Sequence, residues 1–283
     1  MSVVEGAAPS EAIEIDGRRL AWTAVGDGPP LLLVNGYAAT AADWDPTFLA
    51  ELGKSFGVIC PDNRGVGGSD LGDPDGLTID SMAADLEALL DALGLERAVV
   101  VGWSMGGFVA QRLALRASAR VSALGLLSTD PGGPSAVFAE IDVWDRLVDY
   151  SGTPREQATR LIALLFPLRL ARDIDRQFGE LVADARASLS PRTLDAQEVA
   201  MDAWHATEQP APASAPPLII ACGSEDVVIP PANSDLLAAR WHVARVERFF
   251  YGGHAFMAQE PVRLARLIAD FAGGELPRFR RSG

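Results

Sequence analysis

One serine of this 283-residue chain stands in a pattern that favours nucleophilic chemistry. Ser104 is the centre of Gly-Trp-Ser-Met-Gly, residues 102–106, which follows a strand-like apolar run at residues 98–101 and opens a helical pattern at residues 105–117. A serine on a sharp strand-to-helix turn presents its hydroxyl outward, and glycines two residues away let the strand and the helix approach closely. The pattern predicts Ser104 as a nucleophile; the alternative is a glycine-rich helix start without chemistry.

The histidines are the next residues to consider, because a serine hydroxyl becomes a good nucleophile when a base accepts its proton. The chain has three histidines. His254 follows two glycines at the end of the last predicted strand, where loops meet at the carboxyl edge of a parallel sheet, so we predict it as the base. His205, on a helical stretch, and His242, before a strand, are expected to have structural or surface roles.

Two aspartates end predicted strands and could orient the catalytic histidine, which such a base requires. Asp226 ends the segment Gly-Ser-Glu-Asp at residues 223–226, and Asp130 closes the strand before a long helical stretch. Asp130 is followed by Pro-Gly-Gly, which is strong turn chemistry. We therefore predict Asp226 as the acid and keep Asp130 as the alternative.

The elements that must position these residues are those of a mostly parallel sheet. Short apolar runs alternate with helical patterns, which is typical of parallel strands covered by crossover helices. An antiparallel pair at residues 13–15 and 20–25 is expected to open the sheet. Six further strands are predicted at residues 31–34, 58–60, 98–101, 123–127, 218–221 and 246–251. Helices beside them are predicted at residues 79–95, 105–117, 236–241 and 261–271.

The alternation of strands and helices is interrupted once. Residues 131–217 show no convincing strand. Helical patterns occur there at residues 155–165, 173–187 and 195–206, followed by a Pro- and Ala-rich stretch at residues 209–217. The chain is therefore predicted to form a core from residues 1–130 and 218–283, with residues 131–217 as a helical cap.

The composition bounds the class of protein. With 48% hydrophobic and 22% charged residues, the chain is expected to be globular with a substantial core. Its net charge of −14 argues against non-specific binding to nucleic acids or anionic membranes, which needs a basic surface. No apolar run reaches the length of a membrane span, and residues 1–10 lack a leader pattern. We expect a cytoplasmic protein that acts on a small molecule; the oligomeric state is left open.

No pattern for a cofactor or a metal is found. Three glycines in residues 62–69 could suggest a phosphate-binding loop, but no Lys-Ser or Lys-Thr follows, and Asp70 stands where a dinucleotide fingerprint needs glycine. The histidines and the two cysteines, Cys60 and Cys222, are dispersed, which does not match metal-ligand spacing. The prediction is an enzyme without cofactor or metal, with both cysteines reduced in the core.

Four motifs together resemble the α/β-hydrolase fold family, in particular serine hydrolases with a helical cap. They are Asn-Gly-Tyr at residues 35–37, the segment 62–69, the serine turn at residues 102–106, and the pair Asp226 and His254. The chain order of nucleophile, acid and histidine agrees with this family. The resemblance implies an α/β fold: a mostly parallel eight-stranded sheet with helices on both faces and a cap inserted after the sixth strand.

The resemblance also implies two backbone donors for the oxyanion of a tetrahedral intermediate. One is the N–H of Met105, after the nucleophile, and the other is the N–H of Tyr37, in the loop after the third strand. Asn35 stands where the family usually has a histidine, which leaves the side-chain hydrogen bonding of this loop open. Segment 62–69 would be a structural turn in which Arg64 holds loops together.

Apolar residues near the catalytic positions and in the cap predict an apolar substrate pocket. The candidates are Trp103, Phe138, Trp144, Phe166, Trp204, Phe256 and Met257, although most cap aromatics are expected to form the core of the cap itself. The cap is expected to select substrate and to leave assembly of the catalytic residues to the core. The predicted function is hydrolysis of a small, largely apolar carboxylic ester or lactone through an acyl-enzyme. Alternatives on this fold are haloperoxidase-like perhydrolysis, carbon–carbon bond hydrolysis, lyase chemistry, and a signalling protein that binds a small ligand and retains the triad.

Overall fold

The computed structural model describes residues 10–212, 215–242 and 245–272. Strands and helices alternate along most of this part of the chain. The strands are β1 (Glu11–Ile15), β2 (Arg18–Val25), β3 (Pro30–Val34), β4 (Gly57–Pro61), β5 (Ala98–Trp103), β6 (Val121–Leu127), β7 (Leu218–Gly223) and β8 (Val246–Phe249). The helices are α1 (Pro46–Leu52), α2 (Ile79–Ala92), α3 (Met105–Arg116), α4 (Ile141–Leu147), α5 (Pro154–Leu165), α6 (Leu168–Ala187), α7 (Pro191–Ala206), α8 (Ala232–Arg240), α9 (Phe256–Gln259) and α10 (Pro261–Ala272).

The eight strands form one sheet in the order β1-β2-β4-β3-β5-β6-β7-β8. β1 and β2 are antiparallel, as predicted, and β2 is also antiparallel to β4. The remaining neighbours, from β4 to β8, are parallel. The predicted eight-stranded, mostly parallel sheet is confirmed. Its parallel strands bring the loops that follow β3, β5, β6 and β7 to one edge, where ligands bind in open α/β sheets.

Alternating apolar side chains bury both faces of the sheet. Leu32 and Val100 join the cluster that includes α2 and α3, whereas Leu33 and Val101 join the cluster that includes α1 and α10. These strand residues are almost completely excluded from solvent. Burial of a leucine or valine side chain contributes about 1.5 to 3 kcal/mol, so this double layer accounts for a large part of the driving force for folding. Helices lie on both faces, as predicted.

Four helices, α4 to α7, lie between β6 and β7. The sequence predicted three of them. α4 was missed because it is short and only Leu147 on it is buried, so its apolar pattern is weak. α6 begins at Leu168, earlier than predicted, because Pro167 precedes it and the intervening residues favour a helix. We call residues 131–217 the helical insertion; residues 213–214 in it lie outside the described residues.

The chain ends of the predicted core, residues 1–9 and 273–283, also lie outside the described residues. The prediction that the N-terminus carries no targeting segment falls largely on them. Among the described residues, no helix is both long and apolar enough to cross a membrane.

Candidate active site

Ser104 occupies the sharp turn between β5 and α3. Its backbone angles are φ 56° and ψ −125°, a conformation that costs a residue with a side chain about 1 to 3 kcal/mol. Hydrogen bonds hold the turn: the Ser104 N–H donates to the Leu127 carbonyl at 3.0 Å, and the Ser104 carbonyl accepts the Gly107 N–H and the Thr129 hydroxyl, each at 2.8 Å. The strained conformation is thus fixed by neighbouring strands and by the first turn of the helix.

The glycines on either side of Ser104 are required by close backbone contacts. A Cβ added at Gly102 would lie 2.1 Å from the Gly106 carbonyl oxygen, and one added at Gly106 would lie 2.2 Å from the Val34 carbonyl oxygen. Both distances are far below van der Waals contact. The spacing Gly-x-Ser-x-Gly therefore has a steric cause in this fold.

Asp226 and His254 form a buried hydrogen-bonded pair at the carboxyl edge of the sheet. His254 Nδ1 lies 2.8 Å from Asp226 Oδ2 and 3.0 Å from Oδ1, and both residues are less than 5% exposed. Asp226 Oδ1 also accepts the N–H groups of Val228 and Ile229, each at 2.9 Å. Because a carboxylate only accepts, Nδ1 carries the proton, which leaves Nε2 of a neutral imidazole free to accept one.

Trp103 connects this pair to the serine turn. Its indole Nε1 donates to the His254 carbonyl at 3.0 Å, and its ring centre lies 5.2 Å from the centre of the imidazole. Trp103 directly precedes Ser104, so the end of β5 and the loop after β8 are held together. The structure therefore brings Ser104, Asp226 and His254 to the same edge of the sheet.

The two predicted oxyanion donors border the serine turn. Met105 is the first residue of α3, so its N–H has no acceptor within the helix. Gly36 precedes Tyr37, and a Cβ at Gly36 would lie only 3.1 Å from the Cβ of Ser104. The loop after β3 therefore lies directly against Ser104.

Asn35, at the position where the family usually has a histidine, forms hydrogen bonds within and beyond the loop after β3. Its buried side-chain amide nitrogen donates to the Thr40 carbonyl, and its backbone carbonyl accepts from Asn63 Nδ2 at 3.0 Å. The side chain thus closes the loop of residues 35–40 on itself.

The turn at residues 62–69 joins several loops. The Asp62 carboxylate accepts the N–H of Ala41 at 2.7 Å and that of Gly68 at 2.9 Å. The Arg64 guanidinium donates to Asp85, on α2, with Nη2 at 2.9 Å from Oδ1. These contacts give the segment a structural role, and the Arg64 side chain joins it to α2 instead of to another loop.

Asp130, the alternative acid, pairs with a different histidine. His205 Nε2, on α7, lies 3.1 Å from Asp130 Oδ2. Asp130 Oδ1 also accepts the Gly132 N–H at 2.8 Å. The carboxylate of Asp130 therefore joins the end of β6 to the helical insertion, whereas Asp226 is the partner of His254.

The two cysteines are further potential nucleophiles, and clusters of His, Cys, Asp or Glu side chains are potential metal sites. Cys60 and Cys222 are buried, and burial raises the pKa of the Cys60 thiol to about 12, so its reactive thiolate form is suppressed at neutral pH. Within residues 10–272, apart from the short undescribed gaps, no group of three or more His, Cys, Asp or Glu side chains could hold a metal ion.

A cavity of about 300 Å³ opens beside Ser104. Apolar side chains from α4, α7 and the loops around them make up most of its wall. It is lined by Tyr37, Ser104, Phe108, Asp130, Val137, Phe138, Ala139, Ile141, Trp144, Leu147, Met201, Asp202, His205, Val228 and Ile229. The volume suits a small substrate whose reacting carbon lies at Ser104.

Comparison with known proteins decides the family. A profile described as alpha/beta hydrolase fold matches residues 29–261, most of the chain. The chain belongs to the α/β-hydrolase fold family. A putative carbamate hydrolase, RutD, of Variovorax paradoxus (strain S110) is 30% identical to this α/β-hydrolase over 260 residues, covering 87% of this chain and 92% of the relative.

Solved structures give the same assignment. A thermophilic esterase of Thermogutta terrifontis is 26% identical with a TM-score of 0.76, covering 93% of this chain and 97% of the other. A meta-cleavage product hydrolase of Pseudomonas fluorescens IP01 is 23% identical with a TM-score of 0.79, covering 92% and 96% of the two chains; this second likeness is one of fold. Together with the curated relative, these matches identify the protein as a hydrolase of the α/β-hydrolase fold.

The predicted pocket residues of this α/β-hydrolase divide into two groups. Phe138 and Trp144 line the cavity. The other five do not, and their prediction as pocket lining is corrected; they are Trp103, Phe166, Trp204, Phe256 and Met257. Proximity in sequence to a catalytic position was the reason for predicting three of them, but neighbours on a turn or helix start point to different sides.

Each corrected residue has another environment. Trp103 lies against Trp44 and His254, with the Trp44 ring centre at 6.0 Å. Trp204 is buried and stacks on Phe108 with ring centres 5.4 Å apart.

The other three corrected residues lie on the α1 and α10 face of the sheet. Phe256 contacts the Phe249 ring. Phe256 and Met257 belong to the core cluster on this face, and Phe166 packs against it. These side chains stabilise the core.

His205 was expected to have a structural or surface role, but it lines the cavity. Its ring contacts Phe108 and Phe138 edge-on, with ring centres 5.4 and 5.1 Å away. Helical spacing could have revealed it, because Met201 and His205 are four residues apart and share one face of α7. Lone histidines on a helix offer no other signal.

Proposed function

We propose that this α/β-hydrolase cleaves a small, largely apolar carboxylic ester or lactone through an acyl-enzyme formed on Ser104. The observation that carries the proposal is the buried pair of Asp226 and His254, at 2.8 Å, beside a strained serine turn that borders the cavity. In this proposal Ser104 is the nucleophile, His254 the general base and acid, and Asp226 the residue that orients the imidazole.

The first half of the reaction acylates the enzyme. The Ser104 Oγ attacks the carbonyl carbon of the substrate, and its proton passes to Nε2 of His254. The negative charge that develops on the carbonyl oxygen is stabilised by the N–H groups of Met105 and Tyr37, each contributing about 3 kcal/mol. The bond to the leaving oxygen then breaks, and the imidazolium returns the proton to that oxygen, so the alcohol is released, or stays attached when the substrate is a lactone.

The second half regenerates the enzyme. A water molecule gives its proton to Nε2 of His254 while its oxygen attacks the acyl carbon. The same two N–H groups stabilise the second oxyanion. The bond to Oγ breaks, Ser104 recovers the proton, and the carboxylic acid leaves. Asp226 holds the imidazole in one tautomer and stabilises its charged form throughout both halves.

The wall of the cavity supports the choice of substrate. Its side chains are mostly aliphatic or aromatic, and the charged members are Asp130 and Asp202, with His205 beside Asp130. Among the described residues that line it, there is no lysine or arginine. An uncharged substrate therefore fits this wall better than one that carries a carboxylate, which would need a positive partner.

A carbamate is the second candidate substrate, because the relative of 30% identity is named a putative carbamate hydrolase. The named esterase, at 26% identity, favours the ester. Both reactions attack a carbonyl carbon and release a leaving group, so the same three side chains would serve either. The difference lies in the atom beside the carbonyl and in the charge of the substrate.

A substrate panel tests the proposal. It combines p-nitrophenyl esters of increasing acyl length, lactones of increasing ring size, and neutral and anionic carbamates, with Ser104→Ala as the blank for each. We expect turnover that depends on Ser104 for short esters or lactones, with kcat/KM higher than for either type of carbamate. A higher kcat/KM for carbamates than for esters and lactones would show that carbamate hydrolysis is the better assignment. Absence of turnover for every ester and lactone would refute the proposal.

A further inference from the structure

The helical insertion contacts the loop that bears the proposed oxyanion donor Tyr37. Gln197, on α7, is fully buried, and its Oε1 accepts the backbone N–H of Ala38 at 2.9 Å. Its Nε2 donates to the backbone carbonyl of Arg64 at 3.3 Å. One side chain of the insertion therefore bridges the loop after β3 and the loop after β4.

The backbone at Ala38 needs such support. Its φ of 57° lies in the left-handed region, which is unfavourable for a residue with a Cβ. Ala38 directly follows Tyr37, and Gly36 on the other side of Tyr37 touches Ser104. A relaxation of Ala38 would therefore shift the Tyr37 N–H relative to the nucleophile.

Further contacts hold the same loop at both ends. The Tyr37 hydroxyl donates to the carboxylate of Glu198, the next residue on α7 after Gln197. Burial raises the pKa of the Tyr37 phenol, so it remains a hydrogen-bond donor. At the other end of the loop, the core residue Asp62 accepts the Ala41 N–H. The loop is thus held by the insertion beside the donor and by the core beyond it.

A second contact brings α7 close to the loop after β4. The Thr193 hydroxyl donates to the Gly65 carbonyl at 3.1 Å. A Cβ at Gly65 would lie only 2.6 Å from the Thr193 hydroxyl oxygen, and φ at Gly65 is 78°. This close approach fixes where α7 lies and therefore where the Gln197 amide lies.

We infer that Gln197 is a positioning residue for the oxyanion hole, so that the helical insertion sets the rate of acyl transfer as well as the choice of substrate. The inference rests on the proposed function, in which the Tyr37 N–H stabilises the oxyanion. It replaces the expectation that the core alone assembles the catalytic machinery. Removal of one oxyanion donor lowers kcat about 10²- to 10³-fold, and a displaced donor is expected to cost less, about 10- to 100-fold.

Three variants separate this role from a general effect on the insertion. Gln197→Met keeps the approximate shape of the side chain and removes both hydrogen bonds. Gln197→Glu keeps an oxygen that can accept the Ala38 N–H but loses the donor to the Arg64 carbonyl, so it is the partial-rescue variant. Gln157→Met is the matched control, because Gln157 is a buried glutamine on α5 whose amide donates to the Tyr150 carbonyl at 2.7 Å, within the insertion. Thermal melts check folding, and Gln197→Asn is the substitute if Gln197→Met does not fold.

The readouts are the rate of labelling of Ser104 by a fluorophosphonate, whose phosphoryl oxygen occupies the oxyanion hole, and steady-state ester turnover. In Gln197→Met we expect the labelling rate constant and kcat to fall about 10- to 100-fold, with KM changed less than about threefold. Gln197→Glu should regain part of the loss, and Gln157→Met should match the wild type. Equal losses in Gln197→Met and Gln157→Met, or a loss confined to KM, would overturn the inference.

The labelling series does not depend on the identity of the substrate. If wild-type Ser104 is labelled but no ester or lactone is turned over, the proposed function fails while the series still decides the role of Gln197. If wild-type Ser104 is not labelled at all, it is not an activated nucleophile, and the inference fails with it.

Discussion

Asp130 is hydrogen-bonded to His205, with Oδ2 at 3.1 Å from Nε2. Asp130 lies in the loop after β6, the strand that pairs with β7, and β7 leads to Asp226. The protein thus has two aspartate–histidine pairs near the serine turn. One, Asp226 with His254, lies within the core, and the other joins the core to the helical insertion. We therefore expect opposite effects on activity when the aspartate of each pair is replaced.

Asp226→Asn should be severely impaired and Asp130→Asn should not. The amide of the first variant would favour the wrong tautomer of His254, at a cost on the order of 10⁴ in kcat, as for the same change in a serine protease with this triad. Asp130→Asn is expected to stay within about tenfold of the wild type, because it leaves the core pair intact. Turnover and fluorophosphonate labelling measure both. A crippled Asp130→Asn beside an active Asp226→Asn would reverse the assignment.

Ser104 should be the single site of covalent modification. A fluorophosphonate should add one label per chain, because Ser104 lies on the strained turn at the edge of the sheet that also holds the proposed base. Intact-protein mass spectrometry gives the number of labels, and peptide mapping gives their position. Persistence of the label in Ser104→Ala, or its location on another serine, would contradict the prediction.

The charge of the cavity wall should exclude anionic substrates. A p-nitrophenyl ester whose acyl chain ends in a carboxylate should have a kcat/KM at least about tenfold below that of the matched uncharged ester, since about 1.4 kcal/mol of repulsion suffices for that factor. Asp202→Asn should reduce this difference in kcat/KM between the anionic and the uncharged ester. Asp184→Asn is the control, because Asp184 is exposed on α6 and does not line the cavity. An anionic ester that matches the neutral one in the wild type would refute this prediction.

The aromatic residues of the insertion should respond differently to alanine. Phe138→Ala and Trp144→Ala enlarge the cavity, and a change of one methylene of contact is worth about 1 to 3 kcal/mol, so the ratio of long-chain to short-chain turnover should change roughly 10- to 200-fold. Trp204→Ala should instead lower the free energy of unfolding by about 3 to 5 kcal/mol, because its ring is buried against Phe108. Acyl-length profiles and urea denaturation distinguish the two effects. Unchanged profiles in both cavity variants would show that these rings do not select the substrate.

Gly106→Ala should destabilise the protein. The added methyl would meet the Val34 carbonyl at 2.2 Å, and neither the strand nor α3 can move away without disturbing the serine turn. The free energy of unfolding should fall by about 3 kcal/mol, the upper end for overfilling a close contact. Gly76→Ala is the control, because the nearest atom to its added Cβ lies 3.8 Å away. Equal urea midpoints for the two variants would contradict the steric explanation.

Local pattern was enough to predict the strands, the serine turn and the residues at the edge of the sheet. A buried parallel strand needs a short apolar run, and a sharp turn into a helix needs glycines at fixed spacing; both requirements act within about ten residues. The start of α6 and the presence of α4 were harder to predict. For α4 the reason is that it buries only Leu147, so its pattern carries little information.

The sequence by itself thus determined the family, the sheet, and the residues Ser104, Asp226 and His254 as candidates. Tertiary structure alone decided which side chains line the cavity and which residues of the helical insertion contact the core. Asp130 and His205 are 75 positions apart, and Ala38 and Gln197 are 159 apart. Such contacts depend on the position of α7 over the edge of the sheet. That position follows from the burial of the apolar face of α7, and no short pattern around either partner predicts it.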